Sequence, residues 1–108
     1  MIDNRHTFIY YKFMKERDFR FSVEKNAWLI KQRGISFEEV IAAISGGFVL
    51  DIIDHPNQVE YSHQQMYVVH VHDYVYLVPF VEETECIVFL KTIIPSRKAK
   101  KMYLKEEP

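Results

Sequence analysis

The sequence predicts an α+β domain ordered β-α-α-β-β-β-α, with its helices packed on one antiparallel sheet. Three observations lead there. Residues 24–40 carry stop and start signals for two consecutive helices. Residues 48–94 hold apolar, β-branched runs parted by short polar turns, and residues 97–104 return to a helical pattern after Pro95-Ser96. With 108 residues, 48% of them apolar, the chain is long enough for one core and too short for two.

Each element has a local cause. Residues 18–22 alternate polar and apolar, as a short half-buried strand does, and Ser22 stands where a helix cap belongs. In the helix that follows, Val23, Ala27 and Ile30 form the expected core stripe, while Lys31 and Arg33 suit the negative end of its dipole. Gly34 can take the left-handed conformation that ends a helix. Ser36 and Glu39 then form a capping box, with Ile35 and Val40 as the hydrophobic staple. The second helix is expected to bury Phe37, Val40, Ile41 and Ile44 and to stop at Gly46-Gly47.

Residues 48–53 read as a strand, and residues 54–65 as a polar loop long enough to serve as a mobile lid. Residues 66–71 and 74–81 should pair through a two-residue turn at His72-Asp73, although its preferred glycine is missing. Pro79 cannot donate to a ladder, so it marks a bulge or an outward-facing edge position. Residues 86–94 are the last strand of the meander, with Cys86 expected as a buried, inert thiol. In the final helix Ala99, Met102 and Tyr103 share one side, and bases occupy much of the rest.

Residues 18–108 are read as the single domain, and residues 1–17 as an extension. The run from Thr7 to Phe13 is too apolar for a simple tail; an added strand, subunit packing and an upstream start before Met14 all remain open. Tyr10, Tyr11 and Phe13 are candidates for an exposed patch that would promote self-association. The first residues lack the apolar block of a signal peptide, and no run approaches the length of a membrane span, so a cytoplasmic location is expected.

Net charge is −1, yet the charges are segregated. Residues 34–90 contain nine acids and no Lys or Arg, whereas all 14 bases lie outside them with six acids. If the fold joins the two ends, one face becomes basic and attracts polyanions despite the neutral total. Lys91, Arg97, Lys98, Lys100, Lys101 and Lys105 place six bases within fifteen residues, which suits phosphate binding.

The run Glu24-Lys25-Asn26, followed by Lys31-Gln32-Arg33-Gly34-Ile35-Ser36-Phe37-Glu38-Glu39, resembles the amino-terminal signature of the BrnT family. Ile93-Ile94-Pro95-Ser96-Arg97-Lys98-Ala99 resembles its carboxyl-terminal one, and the likeness spans about residues 19–104. The resemblance implies a RelE-like fold and a toxin of a type II toxin-antitoxin pair active in bacterial stress responses. Such a toxin is a ribonuclease neutralised by a BrnA-like antitoxin, through which any contact with operator DNA would come. It implies that Arg97 holds the scissile phosphate, with Lys91, Ser96, Lys98, Lys100, Lys101 and Tyr103 as further RNA contacts. Lys31 and Arg33, which the resemblance places with Arg97 among the catalytic residues, precede the glycine turn where the family often shows Lys-His-Gly. An arginine stays protonated, so Arg33 suits a phosphate clamp rather than a general base.

Other chemistries find less support. His70 and His72, with His55 and His63 in the preceding loop, have weak metal-ligand spacing, and neither a metal nor another cofactor is expected. Gly46-Gly47 lacks the repeat and lysine of a phosphate loop. A non-catalytic interaction module is the alternative from another class. A small ligand-binding domain using Tyr74, Tyr76 and Phe80 is a third, although that face reads more simply as core.

Overall fold

A computed structural model describes residues 17–62 and 64–105. The readings made for residues 1–16 and for His63 lie outside the described residues. The elements run β1 (Asp18–Arg20), α1 (Val23–Arg33), α2 (Phe37–Ser45), β2 (Val49–Asp54), β3 (Gln65–Val71), β4 (Tyr74–Glu82), β5 (Ile87–Leu90), β6 (Ile94–Pro95) and α3 (Arg97–Tyr103). The condensed order β-α-α-β-β-β-α is therefore short of strands. The strand read at residues 48–53 forms as Val49–Asp54, which that order left uncounted, and the expected last strand breaks in two.

The sheet order is β1-β5-β4-β3-β2, with β6 on β4. It is mixed rather than antiparallel, because β1 lies parallel to β5, pairing Phe19 with Val88. A three-residue strand carries no signal for direction; the two-helix excursion that follows β1 sets it. The helices occupy both faces of the sheet. Tyr67, Val69, Val78, Phe80, Val88 and Leu90 meet Leu29, Phe37 and Val40 on the α1–α2 side. Val68 and Val75 meet Ala99 on the α3 side. The middle of β3 is buried on both faces, so its apolar run is continuous rather than alternating.

The turn between α1 and α2 forms as its residues dictate. Gly34 sits at φ 66°, donating its amide to Ile30. Ser36 and Glu39 exchange both hydrogen bonds of the capping box. Buried Asn26 joins the two helices: Oδ1 accepts from Phe37 N at 2.7 Å, and Nδ2 donates to Glu38 Oε1 at 2.7 Å. The Phe37 amide belongs to the first turn of α2, where no carbonyl within the helix can reach it.

That contact corrects the expected face of α1. Val23 is 78% exposed and Ile30 52%, whereas Asn26 and Leu29 point inward. The helix is rolled so that Asn26 reaches a buried amide, and the apolar row at Val23, Ala27 and Ile30 is left outside. In α2 the expected stripe holds: Phe37 and Val40 are fully buried, and Ile41 and Ile44 pack against them.

His72 and Asp73 take φ of 52° and 61° and close the β3–β4 hairpin, pairing Val71 with Tyr74. Two left-handed residues match the twist of the strands, and aspartate tolerates that region better than most. The loop after β2 is closed at its base. His55 N donates to Gln64 O at 2.9 Å across its base, and the His55 ring lies 4.4 Å from that of Tyr61. Cys86 is half-buried just ahead of β5, and its carbonyl accepts from Asp18 N. Among the described residues no helix is long and apolar enough to cross a membrane.

Two expected outcomes follow from these contacts. Asn26→Ala strands a buried amide and should cost about 1–3 kcal/mol in denaturant unfolding. Asn26→Asp keeps an acceptor for Phe37 but sets a second carboxylate against Glu38, and should also destabilise. The second concerns Glu39, whose hydrogen bond with His72 holds its carboxyl below the ordinary value of 4.5. A depressed carboxyl stabilises the fold above its unfolded pKa, and the contribution disappears as pH falls through the folded one. Wild type should therefore lose stability relative to Glu39→Gln as pH drops below about 4.5, as urea midpoints across pH would register.

Candidate nucleic-acid interface

The site grows from a defect in the sheet. β5 pairs with β4 as Phe80↔Leu90, but β6 pairs as Leu77↔Ile94, one residue out of step. An extra residue is thus inserted opposite Val78, which makes a bulge. Pro79 explains its position. The Pro79 carbonyl accepts from Lys91 N at 2.8 Å, and a strand residue's nitrogen faces the same side as its carbonyl. The missing amide hydrogen of Pro79 therefore falls at the β5–β6 junction, where the ladder is already broken. Pro79 itself is buried within the sheet rather than on an edge.

At the bulge, the Ile93 side chain is driven fully into the core. Its carbonyl is left for the Arg33 guanidinium, which donates through Nη1. Residues 33 and 93 are thus held together, which joins the end of α1 to the strand that leads into the basic tail. Both residues of β6 are exposed. Beyond them Ser96 N donates to Val75 O, and Ser96 Oγ accepts from Ala99 N at 3.0 Å, capping α3. Burial of Ala99 roots the helix on the sheet.

Arg97, Lys100 and Lys101 then surround an open depression of about 400 Å³, completed by Tyr74 and Leu104. Lys100 Nζ lies 5.2 Å from the centre of the Tyr74 ring, a cation–π arrangement. Tyr103 turns elsewhere. Its hydroxyl donates to Asp51 Oδ2 at 2.7 Å, and this hydrogen bond raises the phenol above its ordinary value of 10.0. Asp51 Oδ1 accepts from Ile52 N at 2.8 Å, so one carboxylate ties the end of α3 to β2 and covers an amide of that outer strand.

Of the residues singled out in the sequence, Arg97, Lys100 and Lys101 come together, with Ser96 as their cap and Arg33 bracing the strand before them. Lys91 is exposed at the bulge, Lys98 on α3, and Lys31 on the outer side of α1. Tyr76 and Phe80 belong to the core, Phe80 stacked on Tyr67 at 4.1 Å. Trp28 was missed as a site residue, and Tyr74 was read only as part of a ligand pocket or of the core. Lys25 Nζ lies 4.4 Å and Arg33 Cζ 5.1 Å from the centre of the Trp28 ring. The spacing of Lys25 and Trp28 along one helix was the available signal. His70 and His72 line a separate depression with Phe48 and Asp73. Among the described residues no group of three or more His, Cys, Asp or Glu is arranged to hold a metal ion.

No family model, curated protein or solved structure matches the chain.

Replacing Arg33 with Met keeps much of the apolar stem but removes the donor to Ile93. Arg33→Met should cost about 1 kcal/mol, modest because the side chain is exposed, and should speed amide exchange in residues 91–96. Unchanged exchange there would show that the bulge stands without the guanidinium.

Proposed function

We propose that the chain is the toxin of a type II toxin-antitoxin pair, a RelE-like, BrnT-type endoribonuclease that needs no metal. The observation carrying this reading is the grouping of Arg97, Lys100 and Lys101 with Tyr74 around one depression beside the exposed β6 edge. The two stretches that resemble the family's signatures also touch, through Arg33 and the Ile93 carbonyl.

RNA supplies its own nucleophile. A 2′-hydroxyl loses its proton and forms a bond to the adjacent phosphorus; the bond to the 5′-oxygen breaks, and that oxygen gains a proton. The products are a 2′,3′-cyclic phosphate and a 5′-hydroxyl. Arg97 holds two phosphate oxygens and stabilises the charge that develops on them, with Lys100 and Lys101 adding to the field. Arg33, donating to the Ile93 carbonyl, serves as a positioning residue for β6, not as a base. A BrnA-like antitoxin would cover this basic face.

One observation favours a second reading. Among the described residues no imidazole lines the depression, and the described histidines lie in the β2–β3 loop and at the β3–β4 hairpin. A non-catalytic module of the same fold would bind a partner protein and contribute to promoter repression.

End-labelled total RNA, incubated with purified protein and chelator, separates the two. Wild type should cut it to fragments with cyclic phosphate ends, and Arg97→Ala should lose about 10²-fold or more in rate. Intact RNA with folded wild type, and no growth arrest on expression, would favour the interaction module.

A further inference from the structure

We infer that Trp28 is a nucleobase platform, stacking on a base of the bound strand while the α3 cations hold phosphates. This rests on the RNA-binding reading above. Trp28 is the only tryptophan in the chain and is 44% exposed. The inward face of α1 belongs to Asn26 and Leu29, so the indole is not the anchor of the helix. Exposed aromatic surface of this size contributes little to folding where it stands and is suited to a flat partner.

Its surroundings select the partner. Lys25 and Arg33, both on the same helix, place cations at the indole ring. Arg33 is tied at the same time to the Ile93 carbonyl, so indole, guanidinium and β6 form one continuous surface. Across β6, Tyr74 and Lys100 repeat the pairing of ring and cation beside Arg97. Two aromatic rings with cations at each fit an unpaired strand whose bases can turn outward. A duplex keeps its base faces stacked on one another and offers none to an indole.

The test uses the full chain and a 2′-O-methyl oligoadenylate twelve nucleotides long, which cannot undergo attack by its own 2′-hydroxyl. Binding is read by anisotropy of a labelled oligomer, and stacking by the emission of Trp28, with polyphosphate as a polyanion lacking bases. The oligomer should quench Trp28 as it binds, polyphosphate should not, and Trp28→Ala should weaken oligomer binding about ten-fold while Trp28→Phe restores most of it. Binding with unchanged emission and equal affinity for Trp28→Ala would overturn the role of Trp28 and leave RNA binding intact. Equal quenching by polyphosphate would also overturn it, reducing the response to charge near Lys25 and Arg33. No binding of the oligomer even at low salt would remove the RNA reading and the platform together.

Discussion

The structure depends on a sheet whose central strands are apolar on both sides. Tyr67, Val69, Val78 and Phe80 face one way and Val68 and Val75 the other, so neither face can be left to water. Two helices cover the first face, and a seven-residue helix covers the second. The short helix has few residues with which to hold itself down. It relies on the Ser96 cap, on buried Ala99, and on the Tyr103 hydroxyl reaching Asp51. The need to cover the second face is what carries the basic residues of the tail to the β6 edge.

Several polar contacts of the fold share a pattern: each satisfies a backbone group that regular structure leaves open. Asn26 takes an amide at the start of α2, Ser22, Ser36 and Ser96 cap helices, Asp51 takes an amide of the outer strand, and Arg33 takes the Ile93 carbonyl. Among the described residues no buried side-chain nitrogen or oxygen lacks a partner. Residues 33 and 93 are far apart in sequence, so their bond joins the first helix to the broken strand. The site inherits its shape from that junction, because β6, the Ser96 cap and Arg97 all follow within four residues of it.

Much of this was legible locally. The Gly34 turn, the Ser36–Glu39 box, the Phe37–Val40 stripe and the His72-Asp73 hairpin each depend on residues within a few positions of one another, and each formed as read. Pro79 announced a bulge or an edge position because a missing amide hydrogen is a property of the residue alone, and the structure chose the bulge. The basic tail was equally visible, and Arg97, Lys100 and Lys101 lie around one depression because a single helix carries them.

What the sequence by itself determined, then, is the kind and the ends of most elements, since caps, turns and periodicity act through neighbours along the chain. Tertiary structure alone decided the rest. The direction of β1, the choice of faces for the helices, the roll that exposes Val23 and Ile30, and the meeting of Arg33 with Ile93 all depend on partners far along the chain. The same holds for Trp28 and Tyr74, whose surroundings at the basic edge exist only once helix, bulge and tail have closed on one another.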